Sequence, residues 1–320
     1  MSKSFNFFGK ISESLVEKIV DNCKSLDNFP NTRIMLYFDT TLPAKLDQGL
    51  HVLVLMEPPA VMPENYSISN LKKPHLVISL SPWRAKTLGT EYWSFQPIEF
   101  PTVLVDFTKA RKEEIVIIND FKFGATRSSL YGYRRRLIRN LELQDVPIDL
   151  YGPNWGMGRK LEFRKRLAAF RRSLRNIRQS SFWEAFGEFG AEYRNFRGEA
   201  ENKIKVMSAY RFALVIENDI DSLTEKIFDA LYAKCTVFYR GPNLKQFIDI
   251  DLPHVPLPEN VSDAAALIQK YLKSDTRLLE DKLSAFSFES GEMKKFAEKT
   301  VAQDIANHIS RYVKAQEEMI

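Results

Sequence analysis

Only two cysteines and four histidines occur in 320 residues, and no apolar run approaches the ~18 residues that cross a bilayer. Cys23 and Cys235 are isolated, so neither a disulfide framework nor a cysteine metal site is expected. Cys235 sits in an apolar segment and reads as an inert core thiol, which favours a reducing compartment. His51, His75, His254 and His308 form no spaced cluster, which argues against a zinc hydrolase. Two Asp-x-Asp tripeptides, Asp219-Ile220-Asp221 and Asp249-Ile250-Asp251, follow no convincing strand. Such tripeptides also arise by chance, and no metal site is expected. Met1 to Lys10 lacks the apolar stretch of a signal peptide, so a soluble, cytoplasmic protein is expected. Neither an internal repeat nor a low-complexity linker is found.

What is present is ordinary globular material, with 44% hydrophobic and 27% charged residues. The length suits two domains. Forty-six Lys and Arg against 41 Asp and Glu give a net charge of +5, a mild basic balance that suits anionic ligands such as sugar nucleotides. A helix carrying Ile11, Leu15, Ile19 and Val20 is expected after a short lead-in. Strands are expected at Ile34–Phe38, His51–Met56, His75–Leu80 and Val103–Phe107. A second series follows, with strands at Glu114–Asn119 and Pro147–Tyr151 around a helix over Gly132–Leu143. Helices close the chain from Ser262 onward. Alternation of this kind favours parallel, doubly wound sheets.

The densest segment is Tyr210 to Asn243. A buried strand (Phe212 to Ile216) ends in Glu217-Asn218. A helix is expected to open at Ser222-Leu223-Thr224-Glu225-Lys226, and a second strand (Cys235 to Tyr239) closes in Arg240-Gly241-Pro242-Asn243. In such βαβ units ligands bind beyond the carboxyl ends of the strands. Lys226 stands out there, because the first turn of a helix disfavours a cation by roughly 0.3–1 kcal/mol. Two readings stand side by side. An anion, a diphosphate above all, could lodge at the turn with the ammonium. Alternatively Ser222 and Glu225 form a capping box and Lys226 points into water or pairs with Glu225.

This segment resembles the nucleotide-binding motif of the alpha-1,3/1,4-fucosyltransferases. The matching elements are Tyr210-Arg211-Phe212, Glu217-Asn218, Thr224-Glu225-Lys226 and Gly241-Pro242-Asn243. Weaker similarity reaches upstream to about Glu57. The resemblance implies a GT-B fold, with two Rossmann-like domains facing a central cleft and C-terminal helices. It divides the chain into an acceptor-binding domain at 1–110 and a donor-binding domain at 111–320. It also implies an inverting, metal-independent enzyme without a cofactor, which uses a GDP-sugar, GDP-fucose by the motif, and a saccharide acceptor. Ser222 departs from the tyrosine usual in the family, and the Ser-Asn turn after the first donor-domain strand is replaced by Asn119-Asp120-Phe121.

By the same resemblance Glu217, Asn218, Thr224, Glu225 and Lys226 hold the donor, and an arginine opening the Gly132–Leu143 helix meets its phosphates. Arg134 fits best by counting among Arg134, Arg135 and Arg136, of which two are expected to face solvent. Glu57, held by Pro58 and Pro59 at a strand end, takes the place of the general base, with Glu64 as a second candidate. Its plainer reading is a solvated carboxylate at a turn.

One more element is strongly basic. Arg159 to Gln179 carries Phe163, Leu167, Phe170, Leu174 and Ile177 at helical spacing. It could contact an anionic membrane, or nucleic acid phosphates as a non-catalytic binding protein would. The narrow stripe favours a helix packed on the sheet with its cations in water.

Overall fold

Runs of apolar, β-branched and aromatic residues set the strands of two parallel sheets. The computed structural model describes residues 5–25, 33–100, 110–174, 180–187, 189–249, 251–274 and 277–318. The expected strand at Val103–Phe107 lies outside the described residues. By contacts the chain divides into two units. The first takes in Met1–Glu99, Asp221–Leu223 and Glu289–Ile320, and the second takes in Phe100–Ile220 and Thr224–Phe288.

The first unit runs β1 (Phe5–Gly9), α1 (Glu13–Ser25), β2 (Ile34–Phe38), β3 (Leu50–Leu55), α2 (Ile68–Leu71), β4 (Leu76–Ser79) and α3 (Pro82–Leu88). Its four strands lie in sequence order, all parallel. The segment read as a lead-in is thus the edge strand β1, whose alternating Phe5 and Phe7 are too short a pattern to stand out in sequence. Strands β2 and β3 are buried along their whole length, as expected where both faces of a parallel sheet are covered. Ile34, Leu36, Phe38, Val52 and Val54 face Leu15, Ile19 and Cys23 of α1. Met35, Tyr37, Leu53 and Leu55 line the opposite face with Leu42 and Tyr66.

The second unit runs β5 (Lys112–Ile118), α4 (Tyr131–Leu143), β6 (Ile148–Tyr151), α5 (Arg159–Ser173), α6 (Phe182–Phe186), α7 (Lys203–Met207), β7 (Tyr210–Ile216), α8 (Lys226–Tyr232), β8 (Thr236–Arg240), β9 (His254–Pro256), α9 (Val261–Leu272) and α10 (Arg277–Ala285). Its strand order is β6-β5-β7-β8-β9, all parallel. The order reverses at β5, so the loops leaving β5 and β7 emerge side by side at the carboxyl edge. Helix α4 packs Leu137, Ile138 and Leu141 into a core with Ile115, Ile117, Phe212 and Leu214. The last helix, α11 (Glu298–Glu317), belongs with the first unit, where Val301, Ala302, Ile305, Ala306 and Ile309 join the face covered by α1.

Helix α5 overturns the expected packing. Its buried positions are Glu162, Arg166, Ala169 and Ser173, while Phe163 and Leu174 are exposed. The buried line lies one residue, roughly 100° of helix, away from the apolar stripe. The pair that goes inside is Glu162 with Arg166, 2.6 Å apart. Arg166 also donates to the carbonyl of Gly187 at 2.8 Å and lies over the Phe123 ring. The stripe instead meets α6, with Phe163 and Phe170 each about 6 Å from Phe186. Among the described residues no helix is long and apolar enough to cross a membrane.

Candidate functional site

Strand β7 ends at Ile216 and is followed by Glu217, whose side chain has no exposed surface. A buried carboxylate needs donors, and the next segment supplies them. One oxygen accepts from the Thr224 amide at 3.1 Å; the other accepts from the Thr224 hydroxyl at 2.7 Å and the Lys226 ammonium at 3.3 Å. Lys226 also donates to Thr224 Oγ1 at 3.0 Å and reaches Asn218 Oδ1 at 3.5 Å. The capping-box reading of Lys226 is thereby overturned. Helix α8 starts at Lys226, its N-cap Glu225 makes no side-chain cap, and no capping box with Ser222 forms. The donors near the turn go to Glu217, a carboxylate brought from the preceding strand. Glu225 pairs with Lys203 at 3.4 Å. Partial burial opposes its charge, but Lys226 and Lys203 outweigh this and hold its pKa low.

Arg134 completes the cluster from the other side. It is 2% exposed on the first turns of α4 and donates through Nη2 to the carbonyls of Ile216 (2.5 Å) and Glu217 (3.0 Å) and to Asn218 Oδ1 (3.4 Å). These acceptors are all neutral. Its Nε is buried without a hydrogen-bond partner, and burial lowers the pKa of the guanidinium. Only one of the three adjacent arginines faces solvent, not two. Arg135 is 1% exposed and binds the carbonyls of Lys122 and Glu184, while Arg136 reaches Glu184 at 3.6 Å with a part-exposed side chain. The buried two succeed because backbone carbonyls lie within reach of their forks.

Two cations therefore converge on one amide oxygen, that of Asn218, with one carboxylate to balance them. Their contacts to that oxygen are long, and an anion there would exchange them for shorter charge-assisted bonds. The adjoining loop is fixed by the Leu130 amide donating to the Asn218 carbonyl at 3.1 Å and by Ser128 donating to Asp219 at 2.6 Å. Beyond β8 and β9 opens a cavity of about 550 Å³, lined among others by Arg240, Asn243, Lys245, His254 and Lys282. Gly241 borders it, where an added Cβ would lie 2.3 Å from the Tyr239 hydroxyl and 2.7 Å from Glu217 Cγ.

In the first unit Glu57 follows β3 and is half-buried. Its amide donates to both oxygens of Asp39 at 3.1 Å, and its carbonyl accepts from the Tyr66 hydroxyl at 2.7 Å. Asp39 also accepts from the Met56 amide at 2.9 Å. Asp39 thus clamps the backbone that carries Glu57. Burial pushes its pKa up to about 7, Glu57 adds to the rise, and the two amides oppose it. Sequence reasoning passed over Asp39. The available signal was that it ends an apolar strand, as Glu57 does. Glu64 is half-buried, and its Oε2 is buried without a hydrogen-bond partner.

Other motif residues serve the fold. Tyr210 donates to Asp149 at 2.7 Å, and Arg211 pairs with Glu113 and Glu280. Burial opposes the charge of Asp149, but bonds from Tyr210, Arg197 and Lys112 override it and bring its pKa to about 2. In the first Asp-x-Asp tripeptide Asp219 is held by Ser128, whereas Asp221 pairs with Arg84 at 3.3 Å. In the second, Asp251 is paired with Lys245 and Lys282. Among the described residues no group of three His, Cys, Asp or Glu side chains could hold a metal ion.

No protein-family model matches the sequence, and no curated protein matches it either. Solved structures do. Anabaena HepE in complex with UDP aligns over 96% of this chain and 100% of its own, with TM-score 0.53 and 14% identity. The same protein in complex with UDP and glucose aligns over 97% and 100%, with TM-score 0.52 and 14% identity. An alpha1,3-fucosyltransferase aligns over 96% and 78%, with TM-score 0.43 and 11% identity, too loose a likeness to carry an argument. At these identities the HepE match speaks for the fold alone. With two parallel sheets in the orders given above, the α/β fold is of the GT-B class.

Proposed function

We propose that this protein is a glycosyltransferase that moves a sugar from a nucleoside diphosphate donor to a saccharide hydroxyl, with inversion and without a catalytic metal. The observation that carries the reading is the convergence of Arg134 and Lys226 on Asn218 Oδ1 at the carboxyl end of β7. In this reading the donor's diphosphate takes the place of that amide contact. The two cations then stabilise the charge that develops as the diphosphate departs from an oxocarbenium-like centre. Glu217 holds Lys226 in place, and Asn218 and Glu225 orient the ribose or sugar. Glu57 removes the acceptor's proton, with its backbone set by Asp39.

For the donor, the motif from Tyr210 to Asn243 supports a GDP-sugar, GDP-fucose first. A second reading, a UDP-sugar, is favoured by the fold likeness to HepE, a protein solved with UDP. The acceptor in either case is an oligosaccharide or glycoconjugate. Thermal unfolding with GDP, UDP and ADP separates the donors. The preferred diphosphate at a hundredfold its Kd is expected to add about 2.7 kcal/mol of stability. GDP-fucose, GDP-mannose and UDP-glucose then identify the sugar. Lys226→Ala is expected to abolish most turnover, and Lys226→Gln, which retains a donor toward Glu217, should keep the fold but not the rate. No response to any diphosphate, or full turnover in Lys226→Gln, would overturn the proposal.

A further inference from the structure

The described residues include nine exposed large hydrophobic side chains, and six of them fall between positions 161 and 189: Leu161, Phe163, Leu174, Phe182, Trp183 and Phe189. Trp183 is 77% exposed and Phe182 54%. Phe163, Phe182, Trp183 and Phe189 join Phe170 and Phe186 in one aromatic patch. Phe182 lies 6.0 Å from Trp183, 5.7 Å from Phe170 and 4.9 Å from Phe186, and Phe163 lies 6.0 Å from Phe189. A contiguous apolar patch of this kind on a soluble protein marks a contact surface.

Among the described residues the charge exposed on α5 is positive. Arg159, Lys160, Arg164, Arg171 and Arg172 are exposed on the same helix. The described acidic residues of the segment are turned inward, Glu162 to Arg166 and Glu184 to Arg136. Burying the Glu162–Arg166 pair removes the one acid of α5 from the surface and rotates the phenyl rings outward. From this arrangement we infer that α5, α6 and Phe189 form a docking surface for an anionic lipid bilayer.

Phenyl, indole and leucine side chains insert among acyl chains and headgroups, and the surrounding guanidinium and ammonium groups meet lipid phosphates. A second copy of the chain would bring like charges together across a two-fold contact. Of the described serines here, Ser173 is buried and Ser181 caps α6, so neither offers a free hydroxyl to a sugar polymer. Docking here would hold the enzyme of the proposed reaction at a surface that can present a lipid-linked acceptor. The surface itself does not depend on that reaction.

The test is sedimentation of the full chain with vesicles of phosphatidylcholine alone, or with roughly a third phosphatidylglycerol. The chain is expected to co-sediment with the anionic vesicles, more weakly as salt rises, with a blue shift of tryptophan emission. Phe182→Ser with Trp183→Ser should weaken binding by at least about tenfold, from the lost apolar insertion. Arg164→Glu with Arg171→Glu should remove the preference for anionic vesicles. All four positions are exposed, so circular dichroism and the unfolding midpoint should stay unchanged. The inference fails if the chain stays in the supernatant with both vesicle types, or if binding survives Phe182→Ser with Trp183→Ser. It fails equally if those substitutions instead dissociate a dimer, or abolish binding to single-stranded nucleic acid in a chain that ignores vesicles. Because no donor is present, failure leaves the proposed reaction standing, and the diphosphate titration can fail without touching this surface.

Discussion

Helices α4 and α5 are both rich in arginine, both belong to the second unit, and they dispose of their arginines in opposite ways. Helix α4 buries an ordinary apolar face of Leu137, Ile138 and Leu141 and adds Arg134 and Arg135, whose forks end on backbone carbonyls. Helix α5 buries Arg166 against its own Glu162 and leaves Phe163 and Leu174 outside. Hydropathy alone would bury the same stripe in both. What decides is whether acceptors stand ready where the side chain arrives, because an unmet buried charge costs far more than an exposed phenyl ring. In α5 the acceptor came with the helix, and the guanidinium is neutralised at home. In α4 the hydrogen-bond acceptors are neutral, and near Asn218 Arg134 shares the one carboxylate of Glu217 with Lys226. The first arrangement is structural. The second is the one the proposed function assigns to an anion.

The largest effect should come from breaking the α5 pair. Arg166→Ala leaves Glu162 buried without its cation and is expected to cost about 3–5 kcal/mol, read from denaturant unfolding. Replacing both residues, Glu162→Leu with Arg166→Met, should be roughly neutral or stabilising by about 1–4 kcal/mol. A small cost for Arg166→Ala would mean that the helix is seated in the register of its apolar stripe after all. Next in size is Arg134. Arg134→Ala should lower turnover with the preferred donor by about 10²–10³-fold, the usual effect of deleting one stabilising donor. Arg134→Lys should not restore it, because an ammonium lacks the planar guanidinium that meets phosphate oxygens in a bidentate way. If Arg134→Ala instead acted only on stability, the two helices would be alike.

The two helices also show where the sequence could be read. Residues Phe212 to Ile216 and the run from Cys235 announce strands because long apolar runs bounded by polar turns have few other uses, and both are found within a residue or two of the expected bounds. Thr224, Lys226 and Arg134 were legible as a group only through a motif, and the structure brings them together around Glu217 and Asn218. The orientation of α5 was not legible. Both candidate faces repeat at helical spacing, and the choice depends on Phe123 and the turn at Gly187, which are distant in sequence or unremarkable by themselves. Asp39 was missed for the same reason. Its role rests on amides 17 and 18 residues away, delivered by the pairing of β2 with β3.

Asp39 supplies a third way of burying charge and sharpens the contrast. It is held by amides, and it escapes the cost by binding a proton, its pKa having risen to about 7. A carboxyl whose folded pKa is raised holds its proton in the folded chain after the unfolded chain has released it. Its stabilising share is therefore complete below the unfolded value, near pH 4, and is lost as pH rises toward 7. Wild type should lose stability relative to Asp39→Asn across that window, by up to about 1.4 kcal/mol per pH unit, in parallel urea titrations. Equal slopes for the two proteins would show that Asp39 is ionised in the folded state, paired in some way the amide contacts do not reveal.

The smallest effect is expected at Arg136, an arginine of α4 that does neither job. Its guanidinium sits 3.6 Å from Glu184 with its side chain 39% exposed. Water screens such a pair, and ordering two long side chains offsets most of the attraction. Arg136→Ala should therefore change stability by less than about 1 kcal/mol and leave turnover intact. The comparison with Arg134, two residues earlier on the same helix, is what gives the measurement its use. Had charge alone drawn a diphosphate to the start of α4, neutralising either arginine would weaken donor binding to a similar degree. In the proposed reading binding depends on the one arginine that reaches the end of β7, so the two substitutions should differ by about 10²-fold or more in turnover. A comparable loss from Arg136→Ala would replace a shaped anion site with a diffuse field of arginines.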